Sequence, residues 1–200
     1  MKRTRLLAAT ALLASIILFT ARPAAASNGG STSCGGAPRN CISLSWYSAG
    51  QYRMYITASV GTNMVTELIW QMQNTYTSAA THLEMSRTFN AGSYEVWVQT
   101  YNLPSTGTLA WVECQVGSVT SGSHPNLRCG YQNMYLNSAL GLDWGSGDPN
   151  YLAAIACHEM GHTVGLRHSS DTNSCLRNPA TAFFWSLTSH DRSHLVGYYS

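Results

Sequence analysis

Apolar residues recur at every second position through the front half of the chain. Ile42, Leu44 and Trp46, then Tyr52, Met54 and Ile56, alternate with other residues between Cys41 and Ser59, the pattern of strands that bury one face. The period then lengthens. Val65, Leu68, Ile69, Met72 and Tyr76 follow the i, i+3, i+4, i+7 spacing of an amphipathic helix, with Thr62 or Asn63 placed to cap its start. Strand-like segments return at residues 83–89, 94–101, 109–116 and 131–137, separated by turn clusters such as Asn90-Ala91-Gly92 and Pro104-Ser105-Thr106-Gly107. Together these predict a sheet with one helix packed on it.

The glycine-rich stretch from Gly141 to Asp148 leads into a second helix, with Asp148 as N-cap and Pro149 at its first position. That helix is apolar through Ala153-Ala154-Ile155-Ala156-Cys157 and then changes character, to His158-Glu159-Met160-Gly161-His162. Further on, Ala182-Phe183-Phe184-Trp185 reads as filling for the lower core, in preference to the wall of a pocket. Thr188 caps a terminal helix with Asp191 at its third position and Leu195 and Val196 as its apolar residues. His190 and His194 on that helix are four apart, and this spacing reads as a solvated face before it reads as a second metal site.

Charge and cysteines bear on compartment. Lys2, Arg3 and Arg5 precede an apolar run from Leu6 to Ala21 and the small residues Ala24-Ala25-Ala26, the layout of a secretory signal peptide. Residues 1–26 are therefore expected to be removed, leaving one domain over 27–200. Four of the eleven basic residues lie in that segment. The remainder carries seven arginines against nine acidic residues, a net charge of −2. No basic run remains to suggest nucleic acid, and no stable membrane association is expected after cleavage. The protein is expected to be secreted and monomeric. Six cysteines beyond residue 26 suit an oxidising exterior, and sequence neighbours suggest Cys34 with Cys41, Cys114 with Cys129, and Cys157 with Cys175.

The stretch His158 to His168 carries the pattern H-E-x-x-H-x-x-G-x-x-H. On a helix, His158 and His162 stack one turn apart and can reach one ion. Gly165 can adopt a left-handed backbone that turns the chain back to bring in His168. Three imidazoles leave one coordination position open, the arrangement of a catalytic rather than a structural zinc site. Glu159, beside the first ligand, is placed to act as general base.

These residues resemble the metzincin zinc endopeptidases, and Ser169 directly after the third histidine resembles the matrixin branch. The resemblance implies an α+β fold: a mixed twisted sheet with an active-site helix and a small C-terminal subdomain. It also implies a zinc-dependent endopeptidase acting on peptide or protein substrates. The alternative is a non-catalytic secreted zinc protein that binds a peptide or glycan. Metzincins carry a methionine turn beneath the metal; Ser174-Cys175-Leu176-Arg177-Asn178-Pro179 occupies that place without a methionine, and Leu176 is the candidate for its position. Asn178 stands where some members have a tyrosine, so no tyrosine role transfers. The segment Leu109-Ala110-Trp111-Val112-Glu113-Cys114 looks like the strand that pairs with substrate, or is an ordinary interior strand. Matrixins often hold structural calcium, for which Asp143 and Asp148 are candidates. Cys34-Gly35-Gly36-Ala37-Pro38-Arg39 has the wrong residue order for an inhibitory cysteine segment and reads as part of a local disulfide.

Overall fold

The computed structural model describes residues 44–45, 52–79, 83–104, 107–115, 119–121, 128–140, 143–177 and 184–199. The expected signal peptide, the Cys34–Cys41 pairing, Asn178 and residues 182–183 lie outside these. The strands are β1 (Leu44–Ser45), β2 (Tyr52–Ile56), β3 (Met85–Thr88), β4 (Val96–Tyr101), β5 (Ala110–Cys114), β6 (Val119–Ser121), β7 (Arg128–Cys129) and β8 (Gln132–Asn137); the helices are α1 (Thr62–Gln71), α2 (Pro149–Thr163) and α3 (Ser189–Tyr199).

The larger sheet runs β3-β2-β4-β8-β5, with its first four strands parallel and β5 antiparallel to β8. A mixed sheet with helices packed on it is the expected α+β architecture. Alternation in β2 does what its sequence predicts: Tyr52, Met54 and Ile56 are buried, while Arg53 and Tyr55 are half-buried on the other side. β5 is the terminal strand of this sheet and adjoins α2. A smaller sheet, β1-β7-β6, is tied to β5 by the Cys114–Cys129 disulfide. Among the described residues no helix is long and apolar enough to cross a membrane.

α1 departs from its predicted form in three ways. Neither Thr62 nor Asn63 is the N-cap; Gly61 is, and no side chain caps the helix. The reason is steric. A Cβ on Gly61 would lie 2.2 Å from the Gly145 nitrogen, and the close approach lets the Trp144 carbonyl accept from Met64 N–H at 3.0 Å, replacing a side-chain cap. This contact also sets the rotation of the helix: Met64, Leu68 and Gln71 are buried, whereas Val65 and Ile69 are only partly so. Finally, residues Met72–Tyr76 continue as a π-helical turn, with Thr77 N–H donating to the Met72 carbonyl at 3.0 Å.

At the other end of the chain, Phe184 and Trp185 are exposed and do not fill the core. Gln71 Nε2 donates to the Trp185 carbonyl at 3.1 Å, which holds that segment over the rim of a groove of about 250 Å³ lined by Trp70, Trp185, Glu67 and Asn150. Leu195 of α3 is buried, but Val196 is exposed and Tyr199 takes its place in the core.

Candidate metal centre

α2 begins as its sequence predicts. The Asp148 side chain accepts from Asn150 N–H at 2.9 Å, and Pro149 occupies the first helical position, where a missing N–H leaves nothing unsatisfied. From Leu152 to Thr163 every residue is buried, so α2 runs through the middle of the molecule rather than along its surface. Its polar groups must therefore find partners within the protein. Tyr76 Oη donates to the Cys157 carbonyl at 2.5 Å, Gln132 Nε2 to the Thr163 carbonyl at 2.7 Å, and Tyr199 Oη to the Val164 carbonyl at 3.2 Å. Tyr52 Oη bonds Thr163 Oγ1. One side chain each from α1's extension, β2, β8 and α3 thus fixes α2 in place.

The C-terminus of α2 closes in a Schellman turn. Gly165 has φ 87°, the left-handed region that glycine adopts without a Cβ penalty, and Leu166 N–H donates to the Gly161 carbonyl at 2.8 Å while Gly165 N–H donates to the His162 carbonyl at 3.3 Å. The reversal returns the chain across the open side of the helix and brings His168 to the other two histidines. One ligand-capable nitrogen from each of His158, His162 and His168 lies within 4.8 Å of the others. Among the described residues no other group of three or more His, Cys, Asp or Glu is so placed.

Hydrogen bonds dictate which nitrogen each buried ring presents. His158 Nδ1 lies 2.8 Å from the Cys175 carbonyl and His162 Nδ1 lies 2.7 Å from the Leu166 carbonyl. A carbonyl only accepts, so both Nδ1 atoms carry the proton and both Nε2 atoms present a lone pair. Those two Nε2 atoms are 3.0 Å apart. Two facing lone pairs repel unless a cation lies between them, and two ligands on a tetrahedral zinc at about 2.0 Å would stand about 3.3 Å apart. The donor set and its spacing therefore fit a zinc ion. Burial lowers the His158 pKa to about 4, despite its bond to Cys175. It also drives that of His162 well below the usual value, aided by the neighbouring histidines. Both favour the neutral form that binds metal. His168 is the most accessible of the three, and partial burial of its ring lowers its pKa as well.

Glu159 follows the first of these ligands and is buried, with Oε2 lacking a hydrogen-bond partner among the described residues. Burial pushes its carboxyl up to about 8. A buried, unpartnered carboxylate is costly unless a cation or a proton offsets its charge.

The turn beneath the histidines is held from three sides. Cys175 is disulfide-bonded to Cys157, with Cα atoms 6.0 Å apart. Leu176, fully buried, lies against Gly161, where a Cβ would come within 2.7 Å of Leu176 Cδ1; its carbonyl accepts from Ser169 N–H at 2.8 Å. The third anchor was not read from the sequence. Asp191, apparent there only as the third residue of a capped helix, accepts from Ser174 Oγ at 2.7 Å as well as from Thr188 N–H and Oγ1 at 2.9 and 2.8 Å. Ser174 Oγ in turn accepts from Leu176 N–H at 3.0 Å. The signal that could have revealed it is an acidic residue in the first turn of a helix otherwise predicted to pack on the core.

Each of the two carboxylates named as calcium candidates accepts backbone hydrogen bonds close by in sequence. Asp143 accepts from the Ser146 hydroxyl and, through Oδ1, from Gly145 and Ser146 N–H at 2.8 and 3.0 Å; these bonds, the Ser146 hydroxyl's foremost, lower its pKa, and Asp148 Oδ1 caps α2.

A mixed sheet flanked by helices, with three histidines and a buried glutamate on and after a central helix, defines a zinc metallopeptidase of metzincin type. The family model of the matrixin peptidases (Peptidase_M10) matches residues 69–195, and the chain belongs to that family. A search of curated proteins gave no match. The chain is accordingly a zinc metalloendopeptidase whose substrates are peptides or proteins.

Proposed function

We propose that this peptidase is secreted, that His158, His162 and His168 hold its zinc, and that Glu159 is its general base. The observation that carries the assignment is the pairing of two Nε2 lone pairs 3.0 Å apart with a buried glutamate whose Oε2 has no partner among the described residues. Zinc bound by three imidazoles supplies a Lewis acid for the scissile carbonyl and for an attacking water. The protein supplies the rest. Glu159 takes the proton from that water and hands it to the leaving nitrogen. The backbone of β5, the terminal strand beside α2, lines up an extended peptide by main-chain hydrogen bonds, giving affinity with little dependence on sequence. Secretion is supported by the signal-like pattern of residues 1–26 and by two disulfides among the described residues.

Glu159→Gln keeps the shape of the side chain and removes its basicity. We expect the variant to retain zinc and to hydrolyse peptides roughly two to four orders of magnitude more slowly. Zinc content by atomic absorption and cleavage of a casein substrate, measured on one preparation with and without chelator, test this. Wild-type-like turnover with zinc bound would remove Glu159 from the mechanism.

A further inference from the structure

The groove beside Trp185 lies apart from the zinc centre. Its walls come from α1 through Glu67 and Trp70, from the start of α2 through Pro149, Asn150 and Ala153, and from Trp185 itself. Pro149, Asn150 and Ala153 precede His158 on α2, at angles of about 180°, 80° and 140° around the helix from it and roughly 7 to 14 Å back along its axis. The groove therefore faces a different side of α2 from the metal centre.

Its lining combines two exposed indoles with one carboxylate. Trp70 and Trp185 are 45% and 42% exposed, although a tryptophan is on average among the more buried residues. Gln71, fully buried, donates from Nε2 to the carbonyls of Ala153 and Trp185 at 3.3 and 3.1 Å, which ties the Trp185 backbone to the groove wall. Glu67 is the one ionisable residue in the lining, and among the described residues its carboxylate makes no hydrogen bond or ion pair. Asn63, one turn earlier on α1, by contrast donates to the Gly147 carbonyl at 3.5 Å. Partial burial raises the Glu67 pKa. A carboxylate withdrawn from water with nothing to offset its charge gains from a nearby cation.

Indole faces attract an ammonium or guanidinium group within about 6 Å, and a carboxylate beside them selects a cation over a neutral apolar side chain. The positive end of the α2 dipole works against a cation here, but Asp148 caps that end. We infer that the groove is an exosite for a lysine or arginine side chain of a protein substrate, held by Trp70, Trp185 and Glu67. That the partner is a substrate rests on the peptidase activity; that it is cationic rests on the groove's own residues. A short peptide occupies the zinc centre without reaching the groove, whereas a protein chain is long enough to engage both.

Cleavage of casein and of a short uncharged peptide is to be compared in wild type, Glu67→Gln and Trp70→Ala. Both variants should raise KM for casein roughly three- to tenfold, with kcat for casein and kcat/KM for the peptide unchanged. Indole 1H–15N spectra need no turnover. The Trp70 and Trp185 resonances of the zinc-loaded protein should shift with Nα-acetyl-lysine amide and Nα-acetyl-arginine amide, and not with the uncharged Nα-acetyl-norleucine amide. Equal shifts with the norleucine compound, or none with the two cations, would overturn the site. Shifts specific to the cations with an unchanged casein KM would overturn a substrate as the occupant. Failure to cleave either casein or the peptide would count against the peptidase reading and the substrate with it, while the indole shifts would still decide whether the groove takes a cation.

Discussion

Gly161 lets α2 and the turn beneath it approach closely, and there the absence of a side chain is a packing requirement. An added Cβ would meet Leu176 Cδ1 at 2.7 Å and Tyr76 Oη at 3.0 Å. Leu176 is fully buried and cannot swing clear, and the Tyr76 hydroxyl is held by the Cys157 carbonyl. Gly161→Ala should therefore lower stability by about 1–3 kcal/mol through overpacking, beyond the small gain a helix makes from alanine. Denaturant melts of the zinc-loaded protein would measure it. Combining it with Leu176→Ala should give a loss smaller than the sum of the two single losses, because the smaller side chain vacates the space the new methyl needs. Additive losses would mean that the contact does not govern the fit. Leu176→Met, by contrast, conserves volume and should cost under about 1.5 kcal/mol.

At the scale of elements, α3 does more than cover the core. Its capping residue Asp191 reaches across to Ser174, and Ser174 orders the turn whose Cys175 carbonyl orients His158. Asp191→Ala removes the bonds from Ser174 and Thr188 to a fully buried carboxylate, while Ser174→Ala leaves the two from Thr188 intact. The first should cost roughly 3 kcal/mol and the second about 1 kcal/mol. Both should accelerate zinc loss to a chelator, in the same order, because the turn that holds His158 loosens. A chelator-exchange rate identical to wild type in Asp191→Ala would show that the helix and the metal centre are uncoupled. This link was illegible in the sequence, and the reason is distance. The spacing of His158, His162 and His168, the glycine that reverses the chain and the Asp148 cap are local patterns, set by 3.6 residues per turn and by backbone sterics. Ser174 and Asp191 are far apart in sequence and meet only in the folded protein. The same holds for Gly61, whose role as N-cap depends on Trp144 and Gly145. It holds too for Phe184 and Trp185, whose apolar character said core while the anchoring of Trp185 by Gln71 left both exposed.

For the whole molecule, the buried histidines and Glu159 set opposing demands that zinc reconciles. In the metal-stripped protein, folding lowers the pKa of His158 to about 4 and of His162 well below the 6.5 of a free histidine, so the unfolded chain binds more protons as pH falls below 6.5 and stability falls with it. Glu159 acts the other way. Its folded pKa, about 8, lies above its unfolded value of 4.5, so the folded state holds an extra proton between those limits and loses stability as pH rises through 8. From 4.5 to 6.5 the histidines outweigh one glutamate and stability increases with pH; above 6.5 only the glutamate remains and stability declines. The metal-stripped protein should therefore be most stable near pH 6.5. A divalent cation beside Glu159 favours its ionised form and removes the decline, so the stability difference between zinc-loaded and stripped protein should widen from pH 6.5 to 8. Glu159→Gln has no charge to bury. In its stripped form the decline above pH 6.5 should vanish, leaving the variant more stable than wild type at pH 8, the trade between activity and stability that the proposed role of Glu159 as general base predicts. Denaturant unfolding of the two stripped proteins at intervals from pH 5 to 9 gives both profiles. Parallel curves above pH 6.5 would mean that Glu159 is already ionised in the absence of metal and that its burial is relieved by some other group.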